Sequence, residues 1–169
     1  HAAMVGKHLI ESLCRLPVEV DLGSEFRYRD PLMDETSLLI PISQSGETAD
    51  TRAGLTAGKE RGAKSLAICH AVGSSIARDA DCVFYTHAGP EIGVASTKAF
   101  TTQLVALYLI ALYLGQQRGK LSREKVRQHL GQLLRLPTWV QETLDLDVKI
   151  REVAQTYMNA QNFLYLGRG

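Results

Sequence analysis

Ser43-Gln44-Ser45-Gly46-Glu47-Thr48 follows directly on the apolar run Leu38-Leu39-Ile40-Pro41-Ile42, and reading these two stretches together decides the fold. A short apolar run reads as a buried strand and residues 48–61 read as a helix, so the residues between form a strand-to-helix turn. The turn carries three hydroxyls and one glycine. A helix N-terminus offers unpaired N–H groups and the positive end of the helix dipole, which together favour an anion. Hydroxyls add neutral donors that can wrap a phosphate without enclosing it in fixed positive charge. The plainer alternative is that Ser45 or Thr48 only caps the helix. Three hydroxyls in so short a turn exceed what one cap needs, which favours a grip on a phosphorylated small molecule.

Working outward, residues 2–16 look helical, with Val5, Leu9, Ile10 and Leu13 on one face, and Pro17 ends that helix. Residues 18–22 alternate apolar and polar, as a half-buried or edge strand does. Residues 25–35 are strongly charged and read as a surface connection or a short helix. Downstream, Gly62 closes the helix begun at Thr48. Residues 64–71 and 82–85 give two further strands, separated by a short helix that starts at Ser74-Ser75. This alternation predicts an α/β fold: a three-layer, open parallel sheet flanked by helices. Beyond Gly119 the pattern becomes helical only. Ser122 caps one helix running to Leu136, Pro137 opens another, and residues 147–158 form the last before a closing strand at residues 163–166.

Composition narrows the classes of function. The chain has 169 residues, 45% hydrophobic and 22% charged, as expected of a soluble globular protein. A net charge of +1 without any basic run argues against nucleic acid as a partner. Cys14, Cys69 and Cys82 lack metal-ligand spacing and read as reduced thiols, which favours the cytoplasm. The apolar run over residues 104–114 is about half the ~20 residues needed to span a bilayer, so it reads as a buried helix and not a membrane anchor. The first residue is His1, and the last follows the apolar run Phe163-Leu164-Tyr165-Leu166. The chain is therefore read as a piece of a longer protein.

A second constellation follows the strand at residues 82–85: Ala88-Gly89-Pro90-Glu91-Ile92-Gly93-Val94-Ala95-Ser96-Thr97-Lys98-Ala99-Phe100. Its glycines and proline fix an unusual backbone path ahead of the long apolar helix. In open parallel sheets ligands sit beyond the carboxyl ends of the strands, where both loops lie. They should line one crevice, one loop gripping phosphate and the other the rest of the ligand. Capping is an equal reading for Ser96 and Thr97, and Lys98 in a first helical turn more often points to solvent. Glu91, His70 and His87 are weak acid–base candidates. Nothing resembles a nucleophile–base pair, a zinc cluster or a nucleotide-binding glycine loop. No cofactor and no metal is called for.

The stretches Ser24-Glu25-Phe26-Arg27-Tyr28-Arg29, Ser43-Gln44-Ser45-Gly46-Glu47-Thr48-Ala49-Asp50-Thr51 and Glu91-Ile92-Gly93-Val94-Ala95-Ser96-Thr97-Lys98-Ala99-Phe100-Thr101 together resemble the isomerase half of the glutamine–fructose-6-phosphate aminotransferases, the glucosamine-6-phosphate synthases. The similarity is collinear along essentially the whole chain. It implies a five-stranded, flavodoxin- or Rossmann-like SIS (sugar isomerase) domain at residues 1–160, lacking its first strand, with residues 161–169 opening a second SIS domain. It implies that Ser43, Gln44, Ser45 and Thr48 hold the phosphate of fructose 6-phosphate, and that Val94 and Ser96 contact the sugar. In that family, ammonia released from glutamine by a separate domain reaches the sugar, and isomerisation gives glucosamine 6-phosphate. A Cys-Gly-Thr-Ser turn of the family would lie before His1. The family's catalytic glutamate, lysines and histidine belong to the second SIS domain, so no catalytic residue is expected in this chain. SIS domains pair in that family, which implies a homodimer. Two rival readings are a phosphosugar-sensing SIS module of a transcriptional regulator and a stand-alone phosphosugar isomerase. The third stretch and the lack of a DNA-binding element count against the first rival, and the lack of a clear base against the second.

Overall fold

The computed structural model describes residues 1–93 and 96–167, in two compact units, residues 1–122 and residues 123–169. The first unit runs α1 (Ala2–Cys14), α2 (Gly23–Phe26), β1 (Leu38–Leu39), β2 (Ile42–Ser43), α3 (Ala49–Glu60), β3 (Lys64–Cys69), α4 (Ser75–Asp79), β4 (Cys82–Tyr85) and α5 (Lys98–Gln117). All strand pairings are parallel. β1 and β2 lie along one edge of β3 in a single continuous register, Leu38 opposite Lys64 and Ile42 opposite Ile68. They are two pieces of one strand line interrupted around Pro41, which has no N–H to give to a ladder. Its carbonyl still accepts the Ile68 N–H at 2.9 Å. β4 lies along the other edge, with Ile68 opposite Phe84.

Alternation along β3 assigns each side chain to a layer. Ile68 packs with Ala2, Ala106, Leu107 and Ile110, and so against α1 and α5. Ala67 and Cys69 point the other way, toward Leu55 of α3 and Ile76 of α4. Helices on both faces of an open parallel sheet give the three layers expected from the sequence. By length and composition α5 could cross a membrane. Here its residues Ala106, Leu107, Ile110, Ala111 and Leu112 are buried in the core, which explains why it is apolar nearly all round. The Cys14 thiol of α1 donates to the Ala111 carbonyl at 3.0 Å, and burial raises its pKa. The second unit contains α6 (Arg123–Leu133), α7 (Leu136–Leu144), with Pro137 in its first turn, and α8 (Asp147–Tyr157).

Two expected strands are not formed. Residues 18–22 keep their alternation, with Val18 and Val20 half-buried, but pair with no strand among the described residues. A groove of about 1010 Å³ is lined both by this segment and by residues 38–42. The segment therefore faces the sheet's outer edge across a gap, with no ladder to join. Residues 163–166 are also outside any strand and are exposed. The described part of their unit is helical and offers no strand partner.

The α1–α5 layer has a tight point at Gly115. A Cβ there would stand 2.9 Å from the Leu13 carbonyl oxygen and 2.9 Å from Leu121 Cδ1. Gly115→Ala gains roughly 1 kcal/mol of helix propensity, while overpacking costs about 1–3 kcal/mol. A backbone carbonyl cannot step aside as a side chain can, so the cost should win and urea should unfold the variant earlier. A midpoint equal to or above the parent's would show that α1 shifts freely on α5.

Candidate functional site

The sequence-predicted turn lies where it was expected, between β2 and α3 at the carboxyl end of the sheet. Ser43 is buried, and its hydroxyl accepts the Gly46 N–H at 3.0 Å and shares a hydrogen bond with Thr48 Oγ1 at 3.1 Å. Gly46 holds φ +67°, a left-handed conformation that glycine adopts at little cost. The Ser45 hydroxyl accepts the Glu47 N–H at 3.2 Å. Gln44, Ser45 and Thr48 are exposed. Thr48 does occupy the N-cap position of α3, and its side chain makes no capping hydrogen bond there. The hydroxyls of Ser45 and Thr48 are thus exposed beside the start of α3, and a helix N-terminus is a place where backbone N–H groups can meet an anion.

The second loop converges on the same place. A cleft of about 560 Å³ is lined by Ile42 of β2, Gln44 of the turn, Ser96 of the second loop, and Phe100 and Gln103 of α5, with residues 1–3 completing its wall. Gln44 and Ser96 are thus brought together. Ser43, Ser45 and Thr48 are in the turn that continues from Gln44. Ser96 has φ +53°, and its N–H donates to the Gly93 carbonyl at 3.1 Å. Val94 lies outside the described residues.

Glu91 is not placed as an acid or base. Its carboxylate accepts the N–H groups of Thr97 at 3.1 Å and Ala99 at 3.0 Å, and the Thr97 hydroxyl at 3.2 Å. It caps α5, the task the sequence divided between Ser96 and Thr97. The N–H donors of Ala99 and Thr97 hold its pKa below the ordinary 4.5, and such a carboxylate is a poor proton acceptor near neutrality. The sequence carried part of the signal for this role, since a carboxylate ahead of a helix is favoured by the helix dipole, but which N–H groups it meets is set by the fold. His70 is likewise structural: its Nδ1 accepts the Ala88 N–H at 3.2 Å and ties the ends of β3 and β4 together. His87 lies beside Tyr85, with ring centroids 6.2 Å apart. Lys98 is exposed at the start of α5. Among the described residues no group of His, Cys, Asp and Glu could hold a metal ion.

The SIS domain family model matches residues 1–113, which contain the whole sheet and both loops. The chain belongs to the SIS domain family. It is 53% identical over 169 residues to a glutamine–fructose-6-phosphate aminotransferase [isomerizing] of Caldanaerobacter subterraneus subsp. tengcongensis, covering 100% of this chain and 28% of that protein. The namesake protein of Bacteroides thetaiotaomicron is 51% identical over the same length, and again 28% of it is covered. The chain thus spans little more than a quarter of these curated relatives. Among solved structures, the C-terminal domain of glucosamine-fructose-6-phosphate aminotransferase from Francisella tularensis superposes with a TM-score of 0.96 at 40% identity, covering 99% of this chain and 48% of that one. Glucosamine-6-phosphate deaminase from Thermotoga maritima shares the fold, with a TM-score of 0.65 at 19% identity, covering 77% of this chain and 40% of that one.

The capping role of Glu91 has a pH signature. Its pKa is lowered by folding, so the stabilisation it gives is present above the unfolded carboxyl pKa. That stabilisation is lost as pH falls through the lower folded value. The Thr97 and Ala99 amide resonances should therefore titrate together with a midpoint below 4.5, and Glu91→Ala should abolish the transition. A Glu91 carboxyl titrating above 4.5 would show that these hydrogen bonds are not kept in solution.

Proposed function

We propose that this SIS domain is the fructose 6-phosphate-binding part of a glutamine–fructose-6-phosphate aminotransferase, the enzyme that makes glucosamine 6-phosphate for amino-sugar synthesis. The observation that carries the reading is the shared cleft, with Gln44 of the hydroxyl-rich turn and Ser96 of the second loop on one wall. Similarity to relatives of that name over the full chain length supports it. On this reading Ser43, Gln44, Ser45 and Thr48 hold the phosphate, Ser43 largely by shaping the turn. Val94 and Ser96 contact the sugar. Residues 1–160 act as one SIS domain, with residues 161–169 leading into another. The acid–base residues and the glutamine-hydrolysing residues are supplied by other parts of the parent enzyme, and neither a cofactor nor a metal takes part. A homodimer in the cytoplasm, engaging neither nucleic acid nor membrane, completes the proposal.

Replacing Ser45 or Thr48 with Ala removes a hydrogen bond to a charged ligand, a loss of about 1.5–3 kcal/mol in binding. Calorimetric titration of fructose 6-phosphate into each variant measures it. Parent-like affinity in both would refute the assignment. Because no acid–base residue is assigned here, the 169-residue chain alone should make no glucosamine 6-phosphate from fructose 6-phosphate with glutamine or ammonium salts. Product detected by chromatography of a clean preparation would return Glu91 or His70 to consideration.

A further inference from the structure

Glu47 stands in the middle of the turn read as a phosphate grip, and its charge opposes that task. A carboxylate facing a phosphate would repel it, and the repulsion strengthens wherever water is excluded. The structure turns this side chain elsewhere. Glu47 Oε1 accepts the N–H of Ser75, the first residue of α4, at 2.8 Å. Two further hydrogen bonds tie the same turn to α4 and to the residue that follows β3. The Gly46 carbonyl accepts the Ile76 N–H at 2.9 Å, and the Gln44 carbonyl accepts the His70 N–H at 3.2 Å. Gly46 itself sits so close to Ser74 that a Cβ would overlap the Ser74 hydroxyl. The cations whose fields reach Glu47 are Arg52 and Arg78. Arg52 pairs with Asp79 at 2.6 Å and Arg78 donates to the Ser75 hydroxyl at 3.1 Å. The hydrogen bonding to Glu47 comes from Ser75, through its side chain as well as its backbone N–H, and its geometry is set by the turn and α4 together.

We infer that Glu47 is a positioning residue of the phosphate turn: its carboxylate pins the turn to the first N–H of α4, which keeps its own charge off the ligand and leaves Ser45, Thr48 and the start of α3 to meet it. This rests on the phosphate reading of the turn. It assigns Glu47 no contact with substrate and no proton transfer. What the turn needs from position 47 is a hydrogen-bond acceptor of the right length, and the negative charge is incidental.

Glu47→Gln and Glu47→Ala separate acceptor from charge. Gln keeps a carbonyl oxygen for the Ser75 N–H and removes the charge, so it should bind fructose 6-phosphate and inorganic phosphate at least as tightly as the parent. Ala removes the acceptor and should bind both roughly tenfold more weakly, the size of one lost hydrogen bond to a charged group. Amide exchange in the ligand-free protein gives a second readout: Ser75 should exchange faster in Glu47→Ala and remain near parental in Glu47→Gln. If Glu47→Gln binds as poorly as Glu47→Ala while folded, the charge itself is required and the inference falls. Parental Ser75 exchange in Glu47→Ala overturns it whatever the binding data show. Should Glu47→Ala fail to fold, Glu47→Gln decides through its affinity and its Ser75 exchange. A parent protein that binds neither ligand refutes the phosphate reading alone, and Ser75 exchange still decides whether Glu47 pins the turn.

Discussion

β3 has to be hydrogen-bonded along both edges while it is buried on both faces, and the arrangement of the first unit follows from that double demand. Ala67, Ile68 and Cys69 are fully buried, so their peptide groups have no water to turn to. The parallel ladders to β2 and β4 replace that water. Small or apolar side chains then let α1 and α5 close on one face and α3 and α4 on the other. The polar exception, Ser65, is buried with its hydroxyl and its N–H both donating to Asp81 at 2.8 Å. Where β3 ends, its ladder continues as His70 N–H to Gln44 carbonyl, so the strand that organises the core also fixes the floor of the hydroxyl-rich turn.

The parts of the fold legible in the sequence were those whose pattern reports burial on both sides. Residues 64–69, 38–43 and 98–117 are apolar because each meets neighbours on more than one face. Their element types follow from run length and flanking glycine or proline. Residues 18–22 show the limit of that argument. Alternation records which side chains turn inward, and Val18 and Val20 do, but it cannot say whether another strand lies alongside. At the site, the hydroxyls of Ser43, Ser45 and Thr48 were legible as a cluster because they are adjacent in sequence. The tasks of Glu47, Glu91 and His70 were not, because their partners Ser75, Thr97, Ala99 and Ala88 are brought to them by the fold. Glu91 comes nearest to being readable, since it precedes a helix whose N-terminus attracts a carboxylate.

The two loops solve a common problem in the same way. Each must hold an irregular backbone at the carboxyl end of a parallel sheet, where a ligand can reach it and where little packing supports it. In each, a glutamate carboxylate accepts N–H groups at the start of a helix, Glu47 on α4 and Glu91 on α5. At Glu91 the charge also meets the dipole of the long helix α5, and neither glutamate lines the cleft that Gln44 and Ser96 share.

The same economy governs the cations. Arg27 pairs with Asp50 at 2.8 Å and Arg52 with Asp79 at 2.6 Å, so both of these arginines already have carboxylate partners. An anion bound at this turn would meet hydroxyls, N–H groups and a helix dipole before it met an unpaired guanidinium. Hydrogen bonds from neutral donors are directional and individually modest, so they can orient a phosphate while leaving it free to depart. A turn bearing a carboxylate can serve such a grip only if the fold supplies another donor for that carboxylate. The Ser75 N–H is that donor, which makes α4, a helix of one and a half turns with no ligand-facing residue assigned to it, part of the site's construction.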